Sequence, residues 1–405
     1  MIASFRATLY AHLRHAVKYI THNTLRLYCG DLSRFYDDLD RHSIRYVILR
    51  WSEDVSLSNA PRRPRTADHD IDHLIADNQL KLVVRLAGRY HGPNKCDWYS
   101  VTGQRGSAYK RMPYYPPAIA AQILASRRKD ARGLWRPGPL EEMHSFAYHL
   151  CYHKGHRCGI ATGFVGVEPG VSNRDYEAEL LRLARVAGIT LPEPLTLLSL
   201  HQYLQSARWG MAMDLMLRWP DQHRVLKAFQ DYEESARALD IAAAKDLTLF
   251  ILRDDCTPSE NEETVRRMVG ERFTILEDIQ LLPEAQQRVV NQTRGGNWVE
   301  KYRQDIVWPT VALICRNAET PGPLPIRMSQ NKLASRYPHV QNTDVLIKRV
   351  IREKVKASAR PKQHRVVLHA TDNATEAAEM LHAVLGPDYA AFFRRHPAKA
   401  AAVRT

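Results

Sequence analysis

The chain has 405 residues, a hydrophobic share of 44% and a formal charge of +14. That length suits two or three domains with separate cores, and no apolar run reaches the roughly 18 residues of a membrane span. The surplus of Lys and Arg favours polyanionic partners: nucleotides, nucleic acid or a phosphorylated glycan.

The start of the chain, Met1-Ile2-Ala3-Ser4-Phe5-Arg6, lacks the uninterrupted apolar core of a secretory signal. Cys29, Cys96, Cys151, Cys158, Cys256 and Cys315 are scattered without a CxxC pair, the pattern of reduced thiols in a cytoplasmic protein. The first acidic residue is Asp31. The basic segment before it suits either a helix packed on the body or an amphipathic helix touching lipid or nucleic acid.

In chain order, residues 1–40 read as helical, with Phe35 and Leu39 in an apolar stripe. Ile44 to Leu49 reads as a buried strand, and the Pro/Arg-rich run Ser58 to Arg65 as a loop. Asp70 to Ile75 alternates as a strand, Leu80 to Tyr90 suits a helix, and Cys96 to Val101 a third strand. From Ala118 to Ala244 the pattern is almost wholly helical, with Asn173 as an N-cap and Gly188 as a stop for one helix. Beyond Asp246, strands are expected at 247–252, 273–281, 310–315 and 365–368, with helices at 262–269, 283–290, 343–354 and 374–385. Helices after the first and third strands give the split βαβ order of a ferredoxin-like sheet. The expected organisation is α/β and α+β multidomain: 1–117 an α/β domain, 118–244 helical, 245–390 a second mixed domain, and 391–405 a basic tail.

The sharpest chemical signal is Asp68-His69-Asp70-Ile71-Asp72. Asp70 and Asp72 alternate along a strand and share a face. Paired carboxylates repel unless a cation lies between them. Mg2+ is a hard ion that takes carboxylates together with substrate phosphates. Asp97, early in the next strand, is the natural third ligand of a two-metal clamp. A buried strand ending in Leu49-Arg50-Trp51, a loop, the D-x-D strand, a helix and an Asp-bearing strand together resemble the polymerase-β-like nucleotidyltransferase superfamily over residues 40–110. The resemblance implies a mixed sheet, a nucleoside triphosphate substrate and catalysis by Asp70, Asp72 and Asp97. Arg50-Trp51-Ser52 stands where that family has its glycine turn, which makes Arg50 a phosphate contact.

Glu142 to Gly155 is rich in histidine. His149 and His153, four apart, share a helix face and with Cys158 or His144 would suit zinc. A second reading faces Tyr148, His149, Tyr152, His153 and Lys154 to the cleft, with Lys154 as a phosphate or acceptor contact, and the plainest is a solvated helix end with core tyrosines.

The second sharp signal is Val367-Leu368-His369-Ala370-Thr371-Asp372-Asn373, a histidine closing a buried strand before a helix. With Leu249 to Asp255, Phe273 to Leu276, Trp308 to Leu313 and Val350-Ile351-Arg352, it resembles nucleoside diphosphate kinases over residues 246–390. The resemblance implies His369 as phospho-accepting nucleophile, Thr371 beside it, Arg253 in place of a phosphate-binding lysine, Arg352 as a phosphate-binding arginine and Tyr302 near the histidine. Val366 stands where that family has asparagine.

These signals combine into an Mg2+-dependent transferase of nucleotidyl or substituted phosphoryl groups. The acceptor is open, a surface glycan or a metabolite among others, and the second domain binds or exchanges nucleoside triphosphate. The competing readings are a nucleic-acid-modifying or RNA-binding protein, motivated by charge but without a recognised motif, and a non-catalytic nucleotide sensor.

Overall fold

The computed structural model describes residues 2–21, 23–55, 57, 70–104, 106–254, 259–292, 307–357 and 367–397. Contacts divide the chain into two units: Met1–Met211 with Arg218–Phe229, and Ala212–Leu217 with Gln230–Thr405.

The first unit opens with α1 (Ile2–Thr21), β1 (Leu25–Cys29) and α2 (Leu32–Arg41). β1 interrupts a stretch expected to be helical throughout. Leu25, Leu27 and Cys29 alternate into the core while Arg26 and Tyr28 face away, and a period of two cannot lie on one helix face. Asp31 then caps α2, its carboxylate accepting from the Arg34 N–H at 3.1 Å. β2 (Tyr46–Ile48), β3 (Ile71–Ile75), α3 (Leu80–Arg89) and β4 (Asn94–Ser100) follow.

The sheet runs β1-β4-β3-β2, with β3 and β4 parallel and the outer pairs antiparallel. One face is apolar. Leu27, Cys96, Trp98, Ile71, Ile75 and Tyr46 pack with Phe35 and Leu39 of α2 and Val83 and Val84 of α3. Trp98 is fully buried there, stacked on the His73 ring at 4.0 Å and edge-on to Phe35. Trp98→Ala is expected to lower stability by about 3–5 kcal/mol, read as a drop in the urea midpoint. The opposite face of the sheet carries the acidic residues.

α4 (Pro117–Ala125), a short hairpin of β5 (Arg128–Lys129) and β6 (Trp135–Arg136), α5 (Pro139–Tyr148), α6 (Tyr176–Ala187) and α7 (Leu197–Ser206) complete most of the unit. The segment expected to be almost wholly helical is thus interrupted twice, by that hairpin and by an irregular stretch before α6. In that stretch Gly159, Gly163 and Gly166 adopt positive φ, which helices exclude. The α6 cap is Asp175, accepting from the Ala178 N–H at 2.8 Å, rather than Asn173; Gly188 ends the helix at φ 68° as expected. α5 runs on into a π-helical turn at His149–Lys154.

The chain passes through α8 (Met213–Arg218), α9 (Arg224–Ala236) and α10 (Ala238–Ala243) into β7 (Leu247–Arg253), α11 (Ser259–Gly270), β8 (Phe273–Gln280), α12 (Pro283–Gln292) and β9 (Pro309–Asn317). α13 (Gln330–Arg336), α14 (Ile347–Ala357), β10 (Leu368–Ala370), α15 (Ala374–Leu385) and α16 (Tyr389–Arg395) follow. The second sheet runs β10-β7-β9-β8, every pair antiparallel. Both faces are covered. Leu249 and Ile251 pack with α12 and α15, and Phe250 and Leu252 with α11 and α14. Phe392 of α16 is buried in the first of these cores. The last strand is Leu368–Ala370 rather than 365–368, so His369 sits mid-strand opposite Ile251 instead of closing the strand. The protein is therefore a mixed α/β chain of two units, and no helix among the described residues is long and apolar enough to cross a membrane.

Candidate active site

The parallel pairing of β3 with β4 puts Asp72 directly beside Asp97, and the antiparallel pairing of β4 with β1 puts Arg26 beside Asp97. Neighbours in register share a face. Asp70 lies one residue ahead of β3, two before Asp72, and reaches the same cluster. Arg26 binds Asp97 through Nε and Nη2, both at 2.7 Å, and reaches Asp70 through Nη2 at 2.5 Å. Arg50, nearly buried, donates from Nη2 to Asp72 at 2.5 Å, and its guanidinium lies 5.2 Å from the centre of the Tyr114 ring. The structure therefore brings Asp70, Asp72, Asp97 and Arg50 together. It adds two cations that sequence reading missed, Arg26 and Lys95, the latter 3.8 Å from Asp70. Arg26 was concealed because β1 was read as helix.

Electrostatics marks the cluster as crowded with negative charge. Burial, the largest influence, raises the Asp97 carboxyl to about 6, the charges of Asp72 and Asp70 push the same way, and the bond to Arg26 opposes them. The same bond to Asp97 is the main reason Arg26 stays protonated well above its ordinary value. Asp70 Oδ1 is buried and accepts no hydrogen bond among the described residues. The oxygens of three carboxylates gathered on one face are donors of the kind a hard divalent ion takes. Among the described residues no group of three or more His, Cys, Asp or Glu stands ready-arranged around a metal position. The arginines now occupy the space between the acids.

Beside the carboxylates lies a cleft of about 10 Å³ lined by Arg50, Trp51, Asp54, Asp70 and Arg174. Trp51 adopts a left-handed conformation at φ 52°, and its ring packs edge-on to Phe146 and Tyr176. Arg174 stacks over Trp51 at 4.4 Å, and Lys154 lies over Tyr176 at 5.4 Å. Lys154 thus belongs to a basic and aromatic wall with Arg174 and Trp51. Asp68 and His69 of the acidic motif lie outside the described residues.

The histidines of the π-helical turn are core residues. His149 Nδ1 bonds the Tyr114 hydroxyl at 2.7 Å, and His153 Nε2 donates to the Tyr114 carbonyl at 3.1 Å. The Tyr114 ring stacks on His153 at 4.0 Å. Burial, with Arg50 adding to it, holds both imidazoles well below their ordinary value, so they are neutral. His144 turns instead to Tyr203 at 2.8 Å. Tyr114 and Tyr115, absent from the sequence-based candidates, tie this turn to Arg50, with Tyr115 accepting from Arg50 Nη1 at 3.4 Å.

In the second unit, Arg253 ends β7, His369 lies in the paired strand β10, and Arg352 reaches β10 from α14. The Arg253 N–H donates to the Val367 carbonyl at 3.0 Å, beside a shift in the register of β7 with β9. Arg352 donates from Nε and Nη2 to the Leu368 carbonyl at 3.0 and 2.6 Å. His369 is nearly buried. Thr371 is a clamp between strands: its hydroxyl accepts from the Leu249 N–H at 3.0 Å while its own N–H donates back to the Leu249 carbonyl at 3.1 Å. Asp372 pairs with the buried Lys348. Tyr302 and Val366 lie outside the described residues.

No family model, no curated protein and no solved structure matches the chain.

Proposed function

We propose that the first unit transfers a nucleotidyl or substituted phosphoryl group from a nucleotide to an acceptor hydroxyl, assisted by Mg2+ at Asp70, Asp72 and Asp97. The observation that carries this reading is the juxtaposition of Asp72 and Asp97 in register on parallel strands, with Asp70 beside them. Magnesium bound there would offset the charge that grows on phosphorus oxygens in the transition state. Arg26 and Arg50 hold the carboxylates in its place, and the donor draws their guanidinium groups from carboxylate to phosphate oxygen. The acceptor oxygen attacks phosphorus, the bond to the leaving phosphate breaks, and the acceptor proton passes to a carboxylate. Asp97, which burial raises to about 6 in the metal-free site, must lose its proton before it can hold Mg2+. Trp51, Arg174 and Lys154 supply a flat and basic wall for the donor.

A pH dependence follows. Below about 6 the metal-free Asp97 carries a proton and competes poorly for Mg2+, so transfer at limiting Mg2+ is expected to rise with pH through that value and level off above it. Initial rates at limiting Mg2+ from pH 5 to 8 test this, and a rate flat across that interval excludes Asp97 as a ligand of the metal.

The second unit supports a companion role. Its four antiparallel strands in the order β10-β7-β9-β8 follow the split βαβ arrangement of ferredoxin-like sheets, in keeping with a nucleoside diphosphate kinase-like domain. His369, Arg253 and Arg352 form the candidate phosphate-handling group, with Thr371 fixing the strand that carries the histidine. The decisive experiment incubates the protein and Mg2+ with nucleoside triphosphates labelled at α or γ. Pyrophosphate release lost in Asp72→Asn supports nucleotidyl transfer. Acid-labile γ-label on the protein, lost in His369→Ala, supports a phosphohistidine. Absence of both overturns the reading and leaves Arg26 and Arg50 as structural neutralisers of an acidic strand.

A further inference from the structure

At the end of the second sheet away from Arg253, where β7 begins and β9 and β10 end, lies a cavity of about 980 Å³. α10 and the residues leading into α14 and α15 form its sides. Its size is that of a generous small-molecule pocket. Its apolar lining is aliphatic, with Leu247 and Val345 buried and Ile241 half-buried.

Three carboxamides line the cavity, and each has its oxygen in use. Asn317 Oδ1 accepts from the Thr248 hydroxyl at 2.7 Å, Gln341 Oε1 from the Ala374 N–H at 2.9 Å, and Asn342 Oδ1 from the Asp344 N–H at 3.0 Å. Those bonds fix which way each amide faces. The three NH2 groups are left over and donate to nothing among the described residues. Carboxylates share the cavity. Asp246 is paired with Arg316 at 3.2 Å and Asp372 with Lys348, while Glu234 and Glu319 are exposed. Lys245, also exposed, is the one cation among the described lining residues.

This mixture selects the ligand. A phosphate could use the amide N–H groups but would meet Glu234 and Glu319. The start of α15 does not redress that, since Gln341 takes the N–H of Ala374 and Asn373 takes that of Glu376. An amine could use the carboxylates but would set its own donors against three NH2 groups. A hydroxyl both donates and accepts. An uncharged molecule with several hydroxyls satisfies amides and carboxylates together, and its C–H faces suit the aliphatic lining.

We infer that this cavity binds an uncharged polyhydroxylated small molecule. Its hydroxyl oxygens accept from Asn317, Gln341 and Asn342, and its hydroxyl groups donate to Glu234 and Glu319. That chemistry is shared by a free saccharide and by the ribose of a nucleoside. The assignment stands independently of the readings of the carboxylate cluster and of His369.

Calorimetric titration of the full chain with glucose, with maltose and with adenosine tests this. At least one is expected to bind with a Kd below about 1 mM. Asn317→Asp with Asn342→Asp keeps each pinned oxygen and turns each leftover donor into an acceptor. Binding is expected to weaken about tenfold or more, with thermal melting near that of the parent. Ala242→Trp, from an exposed position on α10, fills the cavity, spares every hydrogen bond named above, and is expected to abolish binding. Saccharide binding lost in these variants identifies a sugar site, and adenosine binding lost in them a nucleoside site. No binding of any of the three, or binding that either folded variant leaves unchanged, overturns the assignment. Binding of inorganic phosphate or of putrescine that Ala242→Trp abolishes overturns it in favour of a charged ligand.

Discussion

Asp72→Asn is expected to lower the transfer rate by about 10²–10³, the size seen when one preorganised charge-stabilising group is removed from an active site, while the fold survives. The substitution keeps shape and keeps an oxygen to accept from Arg50 Nη2, which now lies 2.5 Å from the carboxylate. What it removes is one negative charge from a site whose three acids define its chemistry. Arg50 is then buried opposite a neutral amide, a weaker partner, so a modest fall in stability accompanies the loss of rate. Asp72→Ala separates the two effects. It strips the oxygen as well, leaves the guanidinium without that acceptor, and is expected to destabilise by about 3–5 kcal/mol, as removal of one member of a buried ion pair does. Pyrophosphate release measured beside the near-ultraviolet circular dichroism of each variant decides the matter. An Asp72→Asn protein that is folded and transfers at the parent rate would sink the proposed site.

The carboxylates themselves were legible from sequence, because D-x-D on an alternating strand fixes the face that both side chains share. Their companions were harder to see. Arg26 depended on recognising a five-residue strand between two helices, where Leu25, Leu27 and Cys29 are the sole alternating signal. Trp51 and Arg174 are 123 positions apart, and a cation over an indole leaves no trace in local pattern. His149 and His153 show the opposite error. Their spacing suggests a ligand pair, yet Tyr114 takes one ring nitrogen of the first with its hydroxyl and one of the second with its carbonyl. Local periodicity does not report which residues arrive from elsewhere in the chain. The second unit was easier to read because its helices and strands are long and strongly patterned; the helix expected at 374–385 is α15, Ala374–Leu385. The shift of the last strand onto Leu368–Ala370 matters more, since it turns His369 from a residue at the strand end into one held within the sheet.

Glu379→Gln is expected to stabilise the second unit in alkaline solution and to change little in acid. Glu379 is buried on α15. Its Oε1 accepts from the Met213 N–H and from Arg237 Nη1, both at 3.1 Å. Burial raises its carboxyl to about 8, Asp214 and Glu376 add like charge, and Arg237 and the Met213 N–H oppose them without restoring the ordinary value. The unfolded chain loses the same proton near 4.3. Between those values the native state holds a proton that the unfolded state has released, so stability is greatest below the unfolded value and falls as pH rises toward 8. That difference, at about 1.4 kcal/mol per unit, makes the fall about 5 kcal/mol, the opposing influence of Arg237 included. Glutamine stays neutral throughout and still offers an oxygen to Met213, so the variant lacks that slope. Hydrogen exchange of α15 amides at pH 5, 7 and 9 follows this unit alone, free from the first unit's own titrations. Parallel pH dependences for variant and parent would show that Glu379 ionises at its ordinary value and that the pair with Arg237 is a net source of stability; converging in acid and diverging in base would show that this acid is kept protonated within the fold.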